Sequence, residues 1–151
     1  MKKTVLTALT MFFTASAANA GSVDGMNKVK SSYSVEQTAN KMATVLEKKG
    51  MTIFSRIDHA SAAQEVGLEL RDTVLLVFGN PKAGTLLMQC QQSVAIDLPL
   101  KALIWQDENN QVWVSYNNMA YLKTRHNMQG CEAIINKIAE GLQGIVQLSV
   151  K

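Results

Sequence analysis

Five apolar residues in a row, Val74-Leu75-Leu76-Val77-Phe78, run straight into Gly79-Asn80-Pro81. The run is short and rich in strand-forming side chains, so it predicts a buried strand over 71–78. Proline has no amide hydrogen and its φ is fixed, so no inner strand continues through Pro81. The same properties suit the first position of a helix, and an asparagine just before it caps the free amides of the first turn. The pattern therefore predicts a helix from 81 to about 92, with Leu86, Leu87 and Cys90 as candidate apolar positions.

The rest of the chain is read around that switch. Residues 28–33 alternate loosely and predict a first strand. Ser34 and Gln37 have capping-box spacing. Val35, Ala39, Met42, Ala43 and Leu46 then fall on one face of a helix, and Gly50 supplies the stop. Residues 51–57 predict a strand with Ile53, Ser55 and Ile57 on one side. Residues 60–66 form a short helical turn ended by Gly67, which leaves His59 in a loop. Asp97-Leu98-Pro99 is a break. Residues 100–105 and 112–116 form a hairpin across the polar turn 106–111. Residues 117–126 read as a short helix or turn. Cys131, Ile134, Ile135, Ile138, Leu142 and Ile145 mark a long helix running to the end. Hairpin connections predict an α+β single domain, an antiparallel sheet with helices packed on one face.

Residues 1–20 read as a cleaved export signal. Lys2 and Lys3 precede an apolar run over 5–13, and Ala18-Asn19-Ala20 has the small-x-small form that signal peptidase cuts. That run is shorter than the ~20 residues a bilayer span needs. The expectation is a periplasmic or secreted chain, with a flexible leader over 21–27 and one domain over 28–151. Of 15 basic residues, Lys2 and Lys3 leave with the signal, and 12 acidic residues remain, so the mature charge is +1. That balance gives no basic field to attract phosphate, and no nucleic-acid partner is expected. Cys90 and Cys131 are the two cysteines. An oxidising compartment favours a bridge between them, while two buried thiols acting as small apolar groups satisfy the spacing equally. There is no C-x-x-C pair for redox catalysis.

Three stretches resemble the "domain of unknown function 302" family: Arg56-Ile57-Asp58-His59, then 78–88 from Phe78-Gly79-Asn80-Pro81 to Met88, then 97–105 from Asp97-Leu98-Pro99 to Trp105. Val112-Trp113-Val114-Ser115-Tyr116-Asn117 and Tyr121-Leu122 continue the match, which covers roughly 28–148. The resemblance implies a β-α-β4-α arrangement like that of TATA-binding-protein folds, and a homodimer. It brings no activity with it. It carries no fixed cysteine pair, so a bridge between Cys90 and Cys131 is an addition of this chain.

Candidate chemistry is thin, and each candidate has a plain structural reading beside it. Asn80-Pro81-x-x-Gly84-Thr85 offers a helix N-terminus to an anion or polar ligand, with Lys82 to assist and Gly84 allowing close approach. It reads equally as a capped helix with a packing glycine. His59 is a candidate ligand contact or acid/base, and the resemblance falls on it. Asp97 is a candidate partner for it, or an Asx-turn residue before Leu98-Pro99. Ser115, His59 and Asp97 make a hydrolase triple on paper, without a G-x-S-x-G elbow. His126 and Met128 have the spacing of a weak copper(I) site, against the plainer reading as loop and core residues. No cofactor and no zinc constellation is indicated. Trp105, Trp113, Tyr116 and Tyr121 gather near the hairpin, to line a pocket, a dimer interface or the core. The expectation is a small, partly apolar or anionic ligand held in a hollow that touches both His59 and Asn80. The alternatives are an enzyme using His59 with Asp97, a dimeric interaction module, and copper binding.

Overall fold

The computed structural model describes residues 25–151. The signal over 1–20 and most of the expected leader lie outside the described residues. Met26 and Asn27, the last leader positions, are already in the first strand.

Five strands form one antiparallel sheet: β1 (Met26–Lys30), β2 (Thr52–Asp58), β3 (Thr73–Gly79), β4 (Leu100–Gln106) and β5 (Val112–Asn117). Their order across the sheet is β1-β5-β4-β3-β2. Helix α1 (Val35–Lys48) follows β1, and α5 (Glu132–Ser149) closes the chain. Three short helices are inserted into that plan: α2 (His59–Glu65), α3 (Pro81–Cys90) and α4 (Met119–Arg125). The expected α+β domain, with helices on one face of an antiparallel sheet, is what the chain forms.

The local signals act as chemistry requires. Ser34 and Gln37 exchange side-chain and backbone hydrogen bonds at the start of α1. Gly50, at φ +70°, takes the left-handed conformation that turns the chain out of α1. Val35, Ala39, Met42 and Leu46 on α1 and Leu142, Ile145 and Val146 on α5 bury against Val74, Leu76, Phe78, Ile104 and Val114 of the sheet. Each such large side chain contributes about 1.5–3 kcal/mol on leaving water. A second cluster holds Leu87, Val94, Met119, Leu122, Met128 and Ile135, and it seats α3 and α4 against the start of α5.

Four expectations are corrected. β3 is not buried throughout: Val74, Leu76 and Phe78 are enclosed, while Leu75 and Val77 point to the face away from α1 and α5 and stay half-exposed. Ile53 does not share a side with Ser55 and Ile57, because the register steps between Ile53 and Ser55 and leaves Phe54 as a bulge. The step brings Arg56 to the helix side, where its guanidinium reaches Glu36 and Asn40 of α1, each at 2.6 Å. Helix α3 stops at Cys90, and residues Gln92–Asp97 form a separate 3-10 helix that supplies the break before Pro99. His59 is not in a loop. It is the first residue of α2, whose cap is Asp58.

Candidate functional site

Cys90 is the last residue of α3, and Cys131 immediately precedes α5. The two are bridged, with Cα atoms 6.2 Å apart. From that bridge the helices run on in opposite chain directions, and a groove of about 890 Å³ lies between them, floored by the ends of β2, β3 and β4. Its walls are largely aliphatic, with Leu98, Ile134 and Ile138 along them. Phe54, Leu86 and Leu148, which also line it, are 53%, 44% and 57% exposed. They stand around one concave surface, and it is apolar side chains grouped in this way, rather than exposed singly, that mark a contact site.

Asn80, Gly84 and Thr85 line the groove; His59, Asp97 and Tyr116 do not. The groove that holds Asn80 does not reach His59, which begins α2 and stands exposed there. Asp58 next to it is held below the usual carboxylate range, chiefly by the Ser61 backbone amide that it caps. Asn80 is already committed. Its Oδ1 accepts from the amides of Lys82 and Ala83 at 3.0 and 3.3 Å, and its Nδ2 donates to the Gly50 carbonyl at 3.3 Å. The Thr85 hydroxyl donates to the Pro81 carbonyl at 2.8 Å. Both residues therefore shape the groove without offering a ligand strong polar contacts. Gly84 sits against Leu98, whose Cδ1 would be 3.9 Å from an added Cβ.

Asp97 has a different partner from the one expected. Its Oδ2 lies 2.6 Å from Nε2 of His126 and 3.4 Å from Nε of Arg125. Nδ1 of His126 lies 3.0 Å from the Ser93 hydroxyl. The hydroxyl, imidazole and carboxylate that converge are thus Ser93, His126 and Asp97, on a 3-10 helix and the end of α4. Ser115 is enclosed on the opposite face of the sheet, where its hydroxyl accepts from Trp105 Nε1 at 2.9 Å. The Ser93 group is not among the residues that line the groove, and it ties the 3-10 helix to the end of α4. Both ring nitrogens of His126 are engaged, Met128 is fully enclosed in the second cluster, and both cysteines are bridged. The copper spacing therefore does not become a copper geometry. Among the described residues no group of three or more His, Cys, Asp or Glu side chains could hold a metal ion.

Tyr116 packs on the helix side of β5, and burial raises its hydroxyl pKa, partly offset by the side chain of Asn27. It touches a separate, smaller concavity beside Asn27 and Gln143. Trp105 and Trp113 lie on the other face, with the Lys28 ammonium 4.6 and 4.0 Å from their ring centres. The groove residues missed by sequence reasoning include Lys49, Phe54, Lys137, Gly141, Gly144 and Leu148. One signal was present: Gly141 and Gly144 interrupt an otherwise strong helix, at about 1 kcal/mol each relative to alanine.

A family model described as "Domain of unknown function DUF302" matches residues 27–148. Among curated proteins, "Fluoride-specific ion channel FluC 1" of Brucella suis biovar 1 (strain 1330) is 41% identical over 104 residues, which are 69% of this chain and 41% of that protein. The proteins of the same description from Brucella abortus biovar 1 (strain 9-941), FluC 1, and Brucella melitensis biotype 1 (strain ATCC 23456 / CCUG 17765 / NCTC 10094 / 16M), FluC 2, are 41% identical over 104 residues and are covered over 38% of their length. The chain spans about two fifths of the curated relatives it matches. Among the described residues no helix is long and apolar enough to cross a membrane. Among solved structures, an uncharacterized conserved DUF302 protein from Bacillus stearothermophilus superposes with a TM-score of 0.76 at 19% identity, over 84% of this chain and 99% of that one. That likeness is one of fold.

Proposed function

The chain belongs to the DUF302 family, and on that premise we propose that it is a binding protein for a small, largely aliphatic ligand held between α3 and α5. The observation that carries this is the groove itself, open and apolar, with exposed Phe54, Leu86 and Leu148 around it. Its volume is within the ~300–1,000 Å³ common to small-molecule sites. Gly141 and Gly144 support the same reading. A Cβ at either would meet nothing within 4 Å, so packing does not require a glycine there, and the space they leave is groove space. The export pattern over 1–20 and the Cys90–Cys131 bridge support a periplasmic or secreted location.

Nile red, a neutral apolar dye, tests the site directly. The protein is expected to raise its fluorescence, dodecanol to displace it, and Gly141→Leu to abolish binding with an unchanged circular-dichroism spectrum. Absence of dye binding, or undiminished binding by the folded Gly141→Leu protein, overturns the reading.

A second copy is the partner favoured by the sheet face away from α1 and α5. Leu75 and Leu103 pair across β3 and β4 on that face and are only half-covered. Sedimentation equilibrium is expected to give a dimer that Leu103→Asp dissociates. A wild-type protein that stays monomeric at millimolar concentration removes this reading.

A further inference from the structure

We propose that the ligand of the α3–α5 groove is a single-chain amphiphile, its aliphatic tail directed toward the Cys90–Cys131 bridge and its anionic head beside Lys49 and Lys82. The inference rests on the groove being a ligand site and goes on to name the chemistry that fits it.

The shape selects a chain. The lining runs from Pro81 to Met88 on α3 and from Ile134 to Leu148 on α5, and the ten residues of α3 rise ~15 Å, about the length of an extended tail of ten to twelve carbons. Among the described residues that line the groove Phe54 is the one aromatic ring, which is a poor stacking platform for a flat ligand. Along the trough, the side chains of Asn80 and Thr85 are spent on backbone partners. A ligand polar along its length would lose water there without replacement, at a cost that an aliphatic chain avoids.

Charge selects the head and its position. Among the described residues, the charged ones around the groove are Lys49, Lys82, Lys137 and Glu140, three positive and one negative, a surplus of +2. None of the four belongs to an ion pair among the described residues. Lys82 lies in the first turn of α3. Lys49 is the C-cap of α1, one residue before Gly50, whose carbonyl accepts from Asn80 at the start of α3. Both lysines therefore stand at the end where α3 begins, opposite the bridged end. Both are exposed and line the groove; a lysine so placed can lay its methylene stem on apolar surface and keep its ammonium in water, which suits a carboxylate or phosphate at the mouth of a hydrocarbon site.

Isothermal titration below micelle-forming concentrations, with four twelve-carbon compounds, tests this. Dodecanoate and dodecyl phosphate represent the two anionic heads; dodecanol and dodecyltrimethylammonium are the neutral and cationic controls. The anions are expected to bind about five- to tenfold tighter than dodecanol, and the cation more weakly than dodecanol. Lys49→Gln with Lys82→Gln is expected to remove that advantage, so that the anions bind the variant no tighter than dodecanol binds it, and added salt to act in the same direction. If dodecanol binds and the anions bind no better, or if the double variant loses nothing, the head assignment is overturned while the groove stands. If none of the four binds, the groove reading fails with it.

Discussion

His126 and Asp97 are joined at 2.6 Å, and neither side chain is more than 13% exposed. The pair fastens the 3-10 helix to the end of α4, with Ser93 on the second ring nitrogen of His126. Asp97→Ala leaves an enclosed imidazole without its carboxylate and is expected to cost about 1–3 kcal/mol. Ser93→Ala removes an exposed hydroxyl that water replaces, and is expected to cost less than about 1 kcal/mol. Urea unfolding of the two variants checks the ratio. Equal losses would mean that the hydroxyl side of the pair carries as much as the carboxylate side.

The Cys90–Cys131 bridge closes a separation of 41 residues. On the chain-entropy account a loop of that size contributes about 4 kcal/mol by restricting the unfolded chain. Cys90→Ala with Cys131→Ala is expected to lose about that much stability while keeping the far-ultraviolet spectrum, because the cluster between the sheet, α1 and the later turns of α5 does not include either cysteine. Urea midpoints of the oxidised protein and the double variant give the number. A shift below about 1 kcal/mol would show that the unfolded chain was already constrained.

The carboxylate of Asp107 accepts from Trp113 Nε1 at 2.7 Å and from the amides of Asn109 and Gln111, each at 2.9 Å. The Trp113 indole first, then those amides, hold it below the usual aspartate range. A carboxylate lowered on folding gives stability that is full above the unfolded value and drains away as pH falls through the folded one. The wild-type protein is therefore expected to lose stability as pH drops below about 4. Asp107→Asn should be the less stable form near neutral pH and should converge on the wild type in acid. Urea unfolding followed by tryptophan emission across that range reads both. A gap that does not narrow in acid would mean that the charge of Asp107 is not what holds the turn.

Much of the fold was legible because its signals are local. Ser34 with Gln37, Asn80 with Pro81, and Gly50 each set a boundary through atoms a few residues apart, and the periodicity of α1 and α5 named their buried faces. The Phe54 bulge was not legible, since alternation along β2 looks unbroken until the pairing with β3 is known. The site was harder still. Asp97 and His126 are 29 residues apart, and nothing in the chain sets that pair above His59. Asn80 and Thr85 do line the groove, but as residues that satisfy their own helix. The groove depends on how α3 lies beside α5, a tertiary relation signalled only by two glycines in a helix. The cysteines show the same limit from the other side: compartment made a bridge reasonable, and geometry alone could decide it.

The outermost strands of the sheet are β1 and β2. β1 is five residues long and carries Lys28 and Lys30; β2 is broken in register at Phe54 and carries Arg56. Short length, cationic side chains and an irregular rim all discourage a foreign strand from annealing onto exposed amides. Copies of this protein are thereby steered away from ribbon-like polymerisation at high concentration.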